Sequence, residues 1–339
     1  MSKDAWTEPG AYEVAPGVFR IPLPLPTDGL RAVNVYAIRT GDGLVLVDSG
    51  WSLDVARDQL ERALGSIDHD FGDITRFLVT HVHRDHYTLA IALRKLFGSK
   101  VALGLGEQPS LRRIMAGRLD GQARAMVRWG AGALVERWAK DFGTRDASES
   151  RSVYEEPDEW LDGTTKLELG DRTLVALPTP GHTQGHVVFV DEQAGVLFAG
   201  DHVLPHITPS IGFEPEVARL PLGDYLDSLN LMRSYPDLRL LPAHGPVAPS
   251  VHTRVDELLA HHEERLTATL EAVRDGAGTA YEAALRLGWT RRQRRFDDLD
   301  LFNQTLAAGE TAAHLDVLVE RGELRSSTVD DVVEYSVVR

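Results

Sequence analysis

Thr80-His81-Val82-His83-Arg84-Asp85-His86 places four side chains able to hold a metal ion within six positions, directly after the apolar run Phe77-Leu78-Val79. A histidine taken singly is more often a surface or satisfied core residue than a ligand, but that account does not extend to such a density. The chain has no cysteine. Disulfides, thiolate nucleophiles and thiolate-held zinc are therefore excluded, and any metal must bind through His, Asp or Glu.

Working outward, three more candidates share one local pattern. His182 follows TLVALPTPG, Asp201 follows VLFAG and His244 follows LRLLPA, so each polar residue sits just past the end of an apolar strand. Loops that leave the same edge of a sheet converge in space, which predicts that these residues meet the His81 to His86 run. Turn formation is the plain alternative, because Gly181, Gly200 and Gly245 beside them suit tight turns. It accounts for each residue alone but not for their combination with the first run.

Residues 17 to 48 read as three short strands, VFRIPLPL, AVNVYAIR and GLVLVDSG, parted by Pro24, Pro26, Asp28, Gly29 and the Gly41-Asp42-Gly43 turn. Ser52 or Asp54 is placed to cap a helix to about Leu64, after which strand and helix alternate: ITRFLVT, a helix from about Asp85 to Phe97, and KVALGL. From Gly106 to Phe142 the spacing turns helical, through Leu111, Met115, Leu119, Met126, Trp129, Leu134, Trp138 and Phe142, as an insertion reaching about residue 160. Strands TLVALP, HVVFVD and GVLFAG, a helix near Tyr225 to Tyr235 and the strand LRLLPA close a first domain, residues 1 to 250. A long amphipathic helix carrying Val255, Leu258, His262, Leu266, Leu270 and Val273 then opens a second domain, residues 251 to 339. Helices near Tyr281 to Leu287 and Thr311 to Arg321 and a final hairpin, ELRSSTVDDVVEYSVV, complete a winged-helix pattern.

In this order, HxHxDH at His81 to His86, GHTxGH at Gly181 to His186, the Gly200-Asp201 pair and Ala243-His244-Gly245 resemble the metallo-β-lactamase superfamily over residues 15 to 250. The resemblance implies an α/β fold, an αββα sandwich with its metals at the sheet edge. Position by position it implies one divalent ion on His81, His83 and His182, a second on Asp85, His86 and His244, and Asp201 as the bridge. Zinc is the default, and manganese or iron also suits a shell of imidazoles and carboxylates. A hydroxide shared by two cations about 3.5–4 Å apart would attack a carbonyl or phosphoryl group, with Asp85, His86 and Asp201 as the catalytic set. His186 is expected to orient its loop, and Asp48 in VDSG to support the first ligand loop. Many relatives continue the first motif with two glycines, whereas Thr88-Leu89 stand here after Tyr87, which leaves Tyr87 facing either substrate or core. Glu310 to Leu315 and Arg321 to Leu324 resemble the winged-helix extension of some hydrolases of this superfamily.

Over 339 residues the formal net charge is −15, which works against nucleic acid as a partner while leaving local basic patches able to bind anions. One such patch is Arg112, Arg113, Arg118, Arg124, Arg128, Arg137 and Lys140, set against Asp120 and Glu136 alone. With the Met and Trp face, it suggests a lid over an apolar acyl group and an anionic handle; the bland alternative is a helical hairpin with solvated arginines. Arg291 to Arg295 are followed by Asp297, Asp298 and Asp300, which favours packing or a homodimer contact over phosphate binding. His261, His262 and His314 read as helix residues rather than ligands. The opening MSKDAWTEPG lacks the apolar region of a signal peptide and no run reaches membrane-spanning length, so a cytoplasmic protein without a membrane partner is expected. Hydrolysis of a small-molecule thioester or lactone, such as an acyl thioester, is the leading expectation. The alternatives are a metal-dependent endoribonuclease or phosphodiesterase, and a non-enzymatic nucleic-acid-binding or scaffold protein with a vestigial site.

Overall fold

Residues 12 to 47 form the expected antiparallel meander with one strand more than the pattern revealed: β1 (Tyr12–Ala15), β2 (Val18–Pro24), β3 (Ala32–Thr40) and β4 (Gly43–Val47). The computed structural model describes residues 5–26, 29–118, 121–142 and 153–338; Leu119, Asp120, the side chain of Phe142 and the stretch 143–152 of the insertion lie outside them. Pro22 and Pro24 are tolerated within β2 because β1 pairs only with Val18 to Arg20, which leaves both prolines on an open edge. Helix α1 (Asp54–Gly65), β5 (Ile74–Val79), α2 (Arg84–Phe97) and β6 (Lys100–Gly104) follow, with β4, β5 and β6 parallel. Among its described residues the insertion forms three helices, α3 (Gln108–Met115), α4 (Gly121–Arg128) and α5 (Gly132–Phe142), and the short β7 (Glu159–Leu161) then completes a seven-stranded sheet.

The second sheet runs β12-β11-β10-β9-β8, built from β8 (Thr165–Leu169), β9 (Arg172–Pro178), β10 (Val187–Asp191), β11 (Val196–Gly200) and β12 (Arg239–Pro242). Helix α6 (Pro221–Ser234) connects β11 to β12, which are parallel. The inner faces of the sheets meet over Tyr36, Ile38, Val47, Leu78, Phe189 and Phe198. On the outer face of the first sheet, Leu60, Leu64, Leu89 and Leu93 from α1 and α2 cover Leu46 and Phe77. Tyr225 and Leu229 of α6 and Val255 and Leu258 of α7 (Val251–Arg274) cover Val188, Leu197 and Leu240 of the second. Four layers, helix, sheet, sheet, helix, are the result.

Beyond α7 come α8 (Ala280–Ala284), α9 (Leu301–Glu320) and the hairpin β13 (Leu324–Val329) and β14 (Val332–Val337), closed by Asp330 and Asp331, both at positive φ. Three boundaries differ from the sequence expectation. Neither Ser52 nor Asp54 caps α1, whose N-cap is Leu53 without a side-chain bond. Helix α6 starts at Pro221, where proline's fixed φ suits a first turn. Helix α9 starts ten residues before Thr311, capped by Asp300 through the Asn303 N–H; its early residues Gln304, Thr305, Ala307 and Ala308 are buried but small or polar, so no apolar stripe announces them. Among the described residues no helix is long and apolar enough to cross a membrane.

The insertion is anchored from its far side. Met126, Ala131 and Leu134 share one core with Ala284, Leu287, Trp289, Phe296, Leu301 and Ala307 of the C-terminal part. Replacing the buried Leu134 by Ala is expected to cost about 2–5 kcal/mol and to lower the unfolding midpoint of insertion and C-terminal helices together, measured by chemical denaturation with probes in each.

Candidate metal centre

Every residue of the site leaves the same edge of the sandwich. Asp48 follows β4, His81 and His83 follow β5, His182 follows β9, Asp201 follows β11 and His244 follows β12, while Asp85 and His86 occupy the first turn of α2. The expected convergence is thus what the structure shows, and all seven candidate ligands come together. Their donor atoms form three overlapping groups, His81 with His83 and His182, His81 with His86 and Asp201, and Asp85 with His86 and His244, in each of which the atoms lie within 4.8 Å of one another.

The orientation of each ring is fixed from behind. His86 Nδ1 donates to Asp48 Oδ2 at 2.9 Å, His182 Nδ1 to the Ser210 carbonyl at 2.6 Å, His244 Nδ1 to the Ala32 carbonyl at 2.8 Å, and His83 Nε2 to the Phe213 carbonyl at 3.2 Å. His81 Nδ1 meets the Thr80 hydroxyl at 3.0 Å. A nitrogen that donates outward leaves a lone pair on the other, so the inward atoms are electron-pair donors facing one another. His83 Nδ1 lies 3.0 Å from His81 Nε2 and 3.1 Å from His182 Nε2. Asp201 Oδ2 is 3.6 Å from His182 Nε2, whereas its Oδ1 is 3.3 Å from His244 Nε2 and 3.8 Å from His86 Nε2. One carboxylate thereby faces both sets.

Asp48 is the pivot of this arrangement. It is buried, sits at φ 60° and accepts from the Thr80 N–H at 2.8 Å as well as from His86. Gly200 permits the close approach around it: at φ +50°, a Cβ there would stand 2.7 Å from His186 Nε2 and 2.8 Å from Thr80 Cβ. His186 takes the supporting place expected of it, accepting the Asp201 N–H at Nε2 and meeting Thr179 Oγ1 at Nδ1. Tyr87 is core: fully buried, its hydroxyl bonds the Glu155 carbonyl at 2.7 Å. His262 and His314 pair with each other at 3.2 Å, far along the chain from the cluster, as helix residues.

Does the cluster fit a divalent ion? His86 Nε2, His244 Nε2 and Asp201 Oδ1 are buried with no hydrogen-bond partner, a cost that a coordinated cation removes. Burial, then the neighbouring imidazole of His182, holds His83 down at about 3, and burial keeps His81 and His182 below the ordinary histidine range, so these rings are neutral and ligand-ready. Burial also opposes charge on His86, but Asp48, Asp85 and Asp201 outweigh it and push that ring up to about 10. Asp85 and Asp201 stay below the usual carboxylate value despite burial, because histidines face them. Neutral His81, His83 and His182 beside ionised Asp85 and Asp201 are a donor set for a divalent metal, and a bound cation would displace the Nε2 proton that these carboxylates hold on His86.

A family model described as "Metallo-beta-lactamase superfamily" matches residues 28–244. The chain belongs to the metallo-β-lactamase superfamily. It is 24% identical over 332 residues to "Probable metallo-hydrolase YqjP" of Bacillus subtilis, covering 94% of this chain and 97% of that protein. It is 25% identical over 244 residues to "Lactamase-like protein nscB" of Neosartorya fischeri, a match that spans 57% of the relative. Among solved structures, a metallo-β-lactamase family protein from Thermus thermophilus superposes with a TM-score of 0.77 at 29% identity over 96% of this chain and 100% of that one. A β-lactamase domain protein from Burkholderia ambifaria gives 0.78 at 29% identity, covering 98% of each. With this family and this cluster, the protein is a metal-dependent hydrolase.

Two buried carboxyls near the site had no sequence signal. Burial raises Glu107 to about 7, and burial together with Glu107 raises Glu214 to about 9. Both hold protons in the folded chain that the unfolded chain releases above the ordinary carboxylate range, so they make stability fall as pH rises from about 4.5 towards 9. In thermal melts of metal-free protein across that window, the stability of wild type relative to Glu214→Gln should fall as pH rises. Elemental analysis of the loaded protein should find about two divalent ions per chain, with His83→Ala abolishing turnover while the fold persists.

Proposed function

We propose that the protein hydrolyses a thioester or lactone of a small apolar acyl group, with zinc as the preferred metal. His81, His83 and His182 would hold one ion, Asp85, His86 and His244 the other, and Asp201 both, the reading supported by the two oxygens of Asp201 facing the two sets. When bound, such ions supply Lewis acidity towards the attacked carbonyl and lower the pKa of water. The chain's own residues orient and move protons. Asp48 retains the Nδ1 proton of His86, which keeps Nε2 turned inward. Asp85, at 15% side-chain exposure the more open of the two ligand carboxylates, accepts the proton released on attack and returns it to the leaving sulfur or oxygen.

The observation that favours an apolar acyl group is a row of aromatic rings beginning beside the metal centre. Phe213, whose carbonyl takes the His83 N–H, meets Phe302 edge-on at 5.4 Å, and Phe302 stacks on Trp138 of the insertion at 6.3 Å. Phe302 is 41% exposed, so this wall faces solvent-accessible space. The insertion's arginines are less suited to a phosphate handle: Arg112 pairs with Glu156, Arg113 with Glu216, and Arg137 bonds Gln304.

We take residues 1–250 as the catalytic domain and 251–339 as a winged-helix-like module of a cytoplasmic protein, with a packing role for the module. Arg291 bonds the His206 carbonyl, which ties the basic run to the site loop. Turnover of a panel of acyl thioesters, lactones, phosphodiesters and RNA, with Asp85→Ala as control, tests the substrate class: preference for thioester or lactone is expected, and metal-dependent RNA cleavage lost in the control would replace it. Trp138→Ala and Phe302→Ala should each raise KM for long or aromatic acyl thioesters about tenfold while sparing acetyl substrates.

A further inference from the structure

We propose that Glu107 is the positioning residue that locks the three-histidine half of the metal centre, an inference resting on the two-metal reading. Glu107 ends the single turn Leu105–Glu107 that leads into α3, and it is fully buried. Its Oε1 accepts the hydroxyl proton of Thr183, the residue after His182, and the N–H of Val82, between His81 and His83, faces the same carboxylate. One carboxyl group therefore touches both loops that supply His81, His83 and His182.

Glu214 reinforces the same corner. Its Oε1 accepts the Gln184 N–H at 3.0 Å and its Oε2 the Ser110 hydroxyl at 2.8 Å, and it adjoins Phe213, whose carbonyl orients His83. The backbones are fitted to match: a Cβ on Gly185 would stand 2.0 Å from the Glu107 nitrogen, and one on Gly106 2.6 Å from the Gln184 carbonyl oxygen. Burying two carboxyls beside each other is costly, and Glu107 Oε2 has no partner. Packing alone does not call for such groups; rigid acceptors behind metal ligands do. The other half of the centre is held differently, His86 by Asp48 and His244 by the Ala32 carbonyl. Loss of Glu107 should thus be felt on one side only.

Titration of the metal-free full-length chain with zinc against a chromophoric chelator tests this. In Glu107→Ala one site should weaken by about 10- to 100-fold while the other keeps its wild-type affinity. Crystals grown at limiting zinc should show, by anomalous scattering, that the depleted position is the one between His81, His83 and His182. Thr183→Val, which removes only the hydroxyl, should reproduce the selective loss, and Glu107→Gln, which keeps an acceptor oxygen, should recover most of it. Equal weakening of both sites, or none in either Glu107→Ala or Thr183→Val, would overturn the proposal; if Glu107→Ala does not fold, Thr183→Val alone decides. The wild-type stoichiometry from the same titration tests the two-metal reading separately.

Discussion

Five imidazoles and two carboxylates turned towards one small space cannot rest there on their own account, because their inward lone pairs repel and their burial forfeits water. Cations relieve both costs, but only if each donor is already aimed. The aiming comes from behind: a carbonyl or carboxylate takes the outer N–H of His83, His86, His182 and His244, and each of those acceptors belongs to a strand end or a loop pinned to one. The two sheets exist, in this sense, to hold acceptors still. Phe189 and Phe198 between them, and Tyr36 packed edge-on against Phe198, set the distance between the two groups of loops.

Asp48 shows how such rigidity is obtained. A non-glycine residue at positive φ is unfavourable, and a buried carboxylate more so. Both costs are offset by three donors converging on it, the Thr80 N–H and hydroxyl and the His86 ring. The same carboxylate therefore fixes the turn that starts the ligand run and the tautomer of a ligand within it. Its neighbour Gly200 plays the converse part, giving up a side chain so that His186 and Thr80 can approach the backbone that presents Asp201.

Much of this was legible in the sequence because ligands follow apolar strands, and both signals are local: the short apolar runs FLV, VLFAG and LRLLPA, then the polar residue. The parts that were not legible depend on partners distant in the chain. Glu107 meets Thr183, and Glu214 meets Ser110 and Gln184, across separations no window in the sequence spans. Strand β7 is three residues long and is defined only by pairing with β6. The first half of α9 is hidden for another reason: a helix buried on most sides needs small residues where it crosses others, as at Gly309, where a Cβ would stand 2.8 Å from the Trp129 ring. Such a segment shows no polar face, so period alone cannot mark its start.

The division of labour within the chain follows from where each core lies. The ligand loops grow from the inter-sheet core, whereas the aromatic wall beside them is made by the loop at Phe213, the start of α9 at Phe302 and α5 at Trp138. Those last segments are steadied by a different core, the one the insertion shares with Trp289 and Phe296. A change in the wall's shape falls first on that second core, and the Phe213 carbonyl on His83 is one contact by which it reaches the metal ligands. The described part of the insertion, for which the sequence suggested a lid or a plain helical hairpin, buries Met126, Ala131 and Leu134 against Leu287, Phe296 and Leu301 of the C-terminal part.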